Sequence, residues 1–452
     1  MDQELSAAVQ LANARWAAER EQRKIPGLSA AIVQGQEVVW SGGFGHADLA
    51  RGIAAAATTV YRMASVTKLF TATALMLLRD QGLLQLDDPI ARHVPAFGLR
   101  SRFDDGRPPT LRQAASHTAG LPREAALDYW DTFRIPPIDE LLASLDNSEM
   151  ALPALTEEKY SNLGYALLGH VVERVSGQPF ADFVGERILA RLGMASSGFD
   201  STVSDEVRGR VARGYVVEKD QAPEPAPYLE EGAMNAAGGL YSTVEDMARF
   251  VALQFRDGPA GAGQILAGAT LREMRAPVFL APDWKHARGI GWLIERVADH
   301  TAVGHSGGIP GYGTNVMLVP ALEVGAIVFC NAGADAAALS RGALEVLVPV
   351  LARRRARAEA AAAPALPEDW QRYAGRYLAR FLGIEVKPVK GRLAIVFPDA
   401  PADSEVTLAR EREHLFRTKD GELVGFEVDD AGRANLLRTG GGVFRRAEEP
   451  PP

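Results

Sequence analysis

Strand-like runs stand on either side of a long helical stretch, and that segregation limits the folds open to the chain. After Pro26-Gly27 come two apolar runs, 28–34 and 37–40, joined by a short Gly-containing turn and ended by Gly42-Gly43 and Gly45. Two such runs closing across a short turn make an antiparallel hairpin. Comparable runs return at 289–297, 302–304, 315–319 and 324–330. Between them, residues 82–260 read as mostly helical, with Pro/Gly breaks at 95–98, 108–109, 120–122, 136–137 and 223–227. Helices are also predicted over 3–22, Ala-rich and amphipathic, and over 337–362. Strands at both ends with helices inserted between argue an α+β fold on an antiparallel sheet.

Beyond Trp370 the composition changes. Short alternating runs recur at 383–387, 393–397, 415–418, 424–428, 435–438 and 443–446, parted by turns such as Lys390-Gly391 and Asp420-Gly421. Strands at this spacing predict a small antiparallel β-barrel or sandwich. The expected organisation is a first domain over 1–355, an Ala-rich linker over 356–369 and the β-domain over 370–447.

The chain has 452 residues, 47% hydrophobic and 23% charged, which is ordinary globular composition. A net charge of -8 argues against nucleic acid as a main partner. The single cysteine, Cys330, lies in the apolar run Ala326-Ile327-Val328-Phe329-Cys330 and is expected to be packed and inert. No basic and apolar leader opens the sequence, and no stretch reaches the roughly 18 uninterrupted apolar residues of a membrane span. The expectation is a soluble, cytoplasmic protein.

Three short motifs carry the chemistry. Ser65-Val66-Thr67-Lys68 is the only S-x-x-K and opens the apolar run 69–81. On a helix, positions i and i+3 share a face, so a hydroxyl and an amine stand side by side. That is a nucleophile with its own base, at a helix end whose field favours deprotonated oxygen. Tyr160-Ser161-Asn162 is the only Y-x-N and precedes a well-marked helix start. Tyr160 can accept or relay the Ser65 proton if Lys68 lowers its pKa, and Asn162 can hold Lys68 and a substrate amide. His305-Ser306-Gly307-Gly308 leads into Ile309-Pro310-Gly311-Tyr312-Gly313. Its glycines let a strand edge approach a ligand, and an edge N–H paired with that of Ser65 makes an oxyanion hole.

In this order, on helix, loop and strand, the motifs resemble those of the penicillin-recognising serine hydrolases. These include class C β-lactamases, D-alanyl-D-alanine carboxypeptidases, D-amino-acid peptidases and family VIII carboxylesterases. Residues 116–122 and 235–243 add to the resemblance, which covers about 5–350, and 370–447 resembles an appended lipocalin-like domain. The resemblance implies Ser65 as nucleophile, Lys68 and Tyr160 sharing base and acid work, and Asn162 positioning substrate. It implies substrate binding by His305, Ser306 and Gly307, an oxyanion hole from the N–H groups of Ser65 and Gly308, and no cofactor or metal. Here His305 stands where the family's third motif has Lys. A neutral His offers one donor and little charge, so strong β-lactamase activity is less expected than turnover of esters or peptides. The first substrate class is small carboxylic esters. The alternatives are peptides ending in D-amino acids, cleaved or cyclised, and a non-catalytic binding protein on the same fold, which intact motifs disfavour. Oligomeric state is not legible.

Several rivals weaken on inspection. Gly304-His305-Ser306-Gly307-Gly308 also fits G-x-S-x-G, but that elbow must sit between strand and helix, and Pro310, Gly311 and Gly313 leave no helix room to start. Arg438-Thr439-Gly440 reads as a hairpin turn. The eight histidines show no metal-ligand spacing, and His117 is expected to make a local hydrogen bond. Arg445 and Arg446 are expected to reach a substrate carboxylate. Residues 123–150 and 199–232 are expected to form pocket walls.

Overall fold

A computed structural model describes residues 2–103, 106–129, 131–219, 221–261, 263–361, 366–398, 401 and 404–447. The chain divides into two compact units, Met1–Ala352 and Arg353–Pro452. Residues 362–365 of the expected linker lie outside the described residues.

The first unit is built on a nine-stranded antiparallel sheet. In chain order its strands are β1 (Gly27–Gln34), β2 (Glu37–Asp48), β3 (Ile53–Ala54), β4 (Phe279–Leu280), β5 (Ala287–Arg288), β6 (Leu293–Val297), β7 (His300–Ile309), β8 (Tyr312–Val319) and β9 (Val324–Cys330). Across the sheet they run β3-β2-β1-β9-β8-β7-β6-β5-β4. Strands from the two ends of the unit therefore meet at its centre, where Leu28 pairs with Cys330 and Gln34 with Val324.

These central strands are covered on both faces, so they read as continuous apolar runs rather than alternating ones. Side chains alternate across a strand. Leu28, Ala30 and Ile32 face one core, and Ala31 and Val33 the other. The first core is closed by helix α1 (Gln3–Gln22) and by the long carboxy-terminal helix Ala336–Ala361. Asp2 caps α1 by accepting from the Leu5 N–H at 3.0 Å, and Leu5, Val9, Ala12 and Trp16 form its buried stripe. Cys330 is buried here, and burial pushes its thiol up to about 12, as an inert packed cysteine requires.

The other face carries the helical insert. Its centre is α2 (Thr67–Asp80), buried from Thr67 to Leu78 without a solvent face. Against it packs α3 (Asn162–Ser176). The stretch 82–260 is less helical than expected: Ile90–His93, Leu111–Ala115, Ile138–Ala143 and Asp205–Gly209 are single turns or little more. Proline and glycine breaks leave each piece too short to stand as an isolated helix, so packing holds them.

The second unit is a closed barrel of eight antiparallel strands spanning Gly375–Leu378 to Gly442–Arg446, filled by side chains including Tyr373, Tyr377, Phe416 and Phe426. Strands Gly375–Leu378 and Val406–Arg412 were not among the expected runs; Arg410, Glu411 and Arg412 hide the alternation of the second. Arg438-Thr439-Gly440 closes a strand into the hairpin with Gly442–Arg446. The expectation for Arg446 is corrected. Its guanidinium donates to the carbonyls of Arg372, Ala374 and Ala434 within the barrel, so the fork needed for a carboxylate is occupied. Among the described residues no helix is long and apolar enough to cross a membrane.

Candidate active site

Ser65 sits in a one-turn 3-10 helix, Ala64–Val66, that runs directly into α2. Ala64 has φ 47°, a left-handed conformation costing a non-glycine residue about 1–2 kcal/mol. The surroundings hold it there. The Met63 N–H donates to the Leu240 carbonyl (2.7 Å), and the Met63 carbonyl accepts from the Thr314 hydroxyl (2.8 Å). The Thr67 hydroxyl donates to the Ala64 carbonyl (2.6 Å) and accepts from the Leu240 N–H (3.1 Å). The Ser65 turn is thus pinned between strand β8 and the segment around Leu240. The expected helix N-terminus at Ser65 is a 3-10 turn, with the α-helix starting two residues later, and the i,i+3 pairing with Lys68 survives.

The Lys68 side chain is fully buried, and its nitrogen has three hydrogen-bond partners. Nζ lies 3.1 Å from Ser65 Oγ, 2.8 Å from Asn162 Oδ1 and 2.7 Å from the Ala237 carbonyl. The Y-x-N motif meets S-x-x-K because Ser161 caps α3: its Oγ accepts from the Gly164 N–H (2.8 Å) and donates to the Pro122 carbonyl (2.7 Å). Asn162 is then the first residue of α3, with its amide oxygen toward Lys68 and its amide nitrogen donating to Glu124 Oε1 at 2.6 Å.

Tyr160 presents its ring to two cations, Lys68 Nζ at 5.0 Å and the Arg123 guanidinium at 5.2 Å from the centroid. Beneath it lies His117, its ring centroid 4.2 Å away. His117 Nδ1 accepts from the Ser161 N–H (3.1 Å), and its carbonyl accepts from the Lys159 N–H (2.8 Å). The expected local hydrogen bond of His117 is present, and it clamps the segment on both sides of Tyr160. Burial first, then the Arg288 and Lys68 cations, push this imidazole well below its ordinary 6.5, so it is neutral and carries its proton on Nε2.

His305 is buried behind the cleft, with its ring centroid 6.3 Å from that of Tyr160. Burial, and then Lys68 and Arg288, lower its pKa to about 3. Nδ1 lies 2.7 Å from the Ser306 carbonyl and must donate to it, leaving Nε2 as an acceptor. The expectation that His305 lends its one donor to substrate is corrected, because that donor is spent on its own strand. Ser306 is exposed, and its hydroxyl accepts from Asn315 Nδ2 at 3.0 Å. At Gly307 a side chain would strike the Met63 carbonyl and the Thr314 hydroxyl, so glycine is what lets β7 press against the Ser65 turn. Gly308 has open space before it and lines the same cleft as Ser65. Strand β8 follows this segment, so the elbow geometry is absent.

Other residues of this cleft carried no motif. Arg123, Glu124 and Tyr129 form one wall, and Leu229 and Glu231 belong to another, within the two stretches expected to supply walls. Glu231 is buried and pairs with Arg62 at 3.0 Å; burial raises its carboxyl to about 7 while Arg62 stays charged. The Ala236 and Ala237 carbonyls hold Thr71 and Lys68, a backbone role that no side-chain pattern announces. The usable hint was position: Arg123-Glu124 directly follows the turn Gly120-Leu121-Pro122.

A buried helix led by a Ser turn, faced by a Tyr–Asn loop and a glycine-bearing strand of an antiparallel sheet, is the arrangement of a β-lactamase-like fold. The Beta-lactamase family model matches residues 10–348, and the chain belongs to that family, one of serine hydrolases. It is 30% identical over 336 residues to penicillin-binding protein 4 of Amycolatopsis lactamdurans, covering 71% of this chain and 84% of that protein. It is 29% identical over 338 residues to beta-lactamase-like protein 2 of Dictyostelium discoideum, covering 72% of this chain but only 60% of the relative's length. Among solved structures, the octameric penicillin-binding protein homologue of Pyrococcus abyssi superposes with a TM-score of 0.66 at 24% identity, over 96% of this chain and 99% of that one, a likeness of fold.

Proposed function

We propose that the protein hydrolyses small carboxylic esters through an acyl-enzyme on Ser65. The observation carrying this reading is the 3.1 Å contact between Lys68 Nζ and Ser65 Oγ, with the amine held by two further acceptors. Ser65 Oγ attacks the carbonyl carbon as its proton passes to the Lys68–Tyr160 pair, Lys68 reacting as the free amine: its two protons stay on Asn162 Oδ1 and the Ala237 carbonyl, and its lone pair faces Ser65 Oγ. The N–H groups of Ser65 and Gly308 take the developing oxyanion. The same pair returns the proton to the departing alkoxide, and water attacks the Ser65 ester to free the acid. Asn162 orients both Lys68 and the bound acyl group, while Ser306 and Gly307 shape the edge beside it.

Esters are preferred over β-lactams because the third motif supplies no cation. His305 is neutral and its donor is occupied, so a carboxylate gains little there. Peptides ending in D-amino acids, cleaved or cyclised, form the second reading.

The test is hydrolysis of p-nitrophenyl butyrate, nitrocefin and a D-Ala-D-Ala peptide by wild type, Ser65→Ala and Ser306→Ala. Ser65→Ala is expected to abolish turnover and Ser306→Ala to weaken it, with the preferred substrate naming the class. Normal rates in Ser65→Ala, with Ser306 essential, would overturn the assignment.

A further inference from the structure

We infer that Glu124 selects the acyl side of the substrate, and that what it selects is a protonated amine. This rests on the acyl-transfer reading of Ser65. Glu124 lines the cleft together with Ser65, Tyr129, Asn162 and Gly308. Both its oxygens are fixed: Oε1 accepts from Asn162 Nδ2 and Oε2 from the Tyr129 hydroxyl, each at 2.6 Å. An ionised carboxylate accepts at about four lone-pair sites, so two bonds leave acceptor capacity toward the cleft.

Among the described residues, the donors left beside Glu124 are the second Asn162 Nδ2 proton and the solvent-exposed Arg123 guanidinium. Lys68 Nζ is already enclosed by Ser65, Asn162 and the Ala237 carbonyl, and Asn162 turns its oxygen to Lys68 and one N–H to Glu124. The Tyr129 hydroxyl proton is already given to Glu124. Glu231 adds a second carboxyl beneath Gly238, where an added Cβ would stand 3.1 Å from its Oε2, but Arg62 matches that charge from within the core. The cation nearest Glu124 is Arg123, whose Nε lies 3.6 Å away; its side chain is 62% exposed and solvent weakens the pair.

A carbonyl or carboxylate set against the Glu124 carboxylate meets acceptor with acceptor. An ammonium meets a charge-assisted hydrogen bond. Free α-amines titrate near 8 and are protonated at neutral pH. The substrate class this wall fits is therefore esters or amides whose acyl part is an amino acid, or a short peptide, with a free amine, rather than its N-acylated form.

The experiment compares the methyl esters of D- and L-phenylalanine with their N-acetyl derivatives, for wild type and Glu124→Gln, reading the released acid by chromatography. Glutamine keeps the shape and an acceptor for Asn162 while removing the charge. Wild type is expected to favour the free amine over the N-acetyl form by at least tenfold in kcat/KM, in at least one configuration. Glu124→Gln is expected to shrink that ratio at least tenfold. A wild-type ratio near or below one, or the same ratio in both proteins, would overturn the proposal. Labelling of Ser65 by a fluorophosphonate in wild type is the separate readout for the acyl-transfer reading. Labelling with no amine preference removes only the role of Glu124, whereas no labelling and no turnover of any ester removes both.

Discussion

Replacing His305 by asparagine should flatten the acid sensitivity of the first unit. The asparagine amide reproduces the donor that Nδ1 gives the Ser306 carbonyl at 2.7 Å, so the variant loses mainly the titrating ring. In the folded protein the imidazole pKa is lowered to about 3 from 6.5. The native state thus binds this proton less readily than the unfolded chain. Stability from keeping the ring neutral is complete above pH 6.5 and is lost progressively as pH falls toward 3. With those two values the loss is about 2 kcal/mol at pH 5 and about 3 kcal/mol at pH 4. The assay is urea unfolding followed by tryptophan fluorescence at pH 7.5, 5 and 4. Five of the six tryptophans lie before residue 352, so the signal reports the first unit. His117, also neutral and buried, gives both proteins a similar slope that cancels in the difference. Wild type should lose about 2 kcal/mol more than His305→Asn between pH 7.5 and 5. Slopes that coincide to within about 0.5 kcal/mol would refute the reasoning, because the ring would then be titrating normally in the fold.

Gly307→Ala should cost about 2–3 kcal/mol, seen as a lower urea midpoint, because the new Cβ meets the Met63 carbonyl backbone and forces β7 away from the Ser65 turn. The same variant should label more slowly with a fluorophosphonate. His117→Phe keeps a ring beneath Tyr160 but leaves the Ser161 N–H unpaired, at a cost of about 1–3 kcal/mol. His117→Asn, which can accept that bond and tolerates the positive φ of 59°, should recover part of the loss in the same melt. Ser161→Ala should destabilise by about 1 kcal/mol through loss of the α3 cap, measured by denaturant titration.

The parts of the fold that were readable are those where one local signal decides. Runs 28–34 and 324–330 are apolar throughout because both faces are covered, and they appear as adjacent central strands. The S-x-x-K spacing was readable because i,i+3 proximity is local geometry, indifferent to whether a 3-10 turn precedes the helix. What was hidden depends on distant chain. Ala237 acts through its carbonyl, Glu124 becomes part of the cleft only when Asn162 arrives to donate to it, and His305 spends its donor on a neighbouring peptide group. The insert reads as more helical than it is because apolar periodicity persists through segments that Pro and Gly cut into single turns. In the barrel, Val406–Arg412 went unread because its exposed Arg410, Glu411 and Arg412 mask a period-two pattern.

Helix α1 packs beside the helix Ala336–Ala361, with the Trp16 indole N–H donating to the Leu339 carbonyl at 3.0 Å and Arg15 to the Gly342 carbonyl at 2.9 Å. Both cover the sheet face opposite the one that carries α2. Cargo tethered ahead of α1 would therefore hang from the reverse side of the sheet. An affinity handle, a fluorescent reporter or a solid support attached there would meet the sheet on the face away from α2.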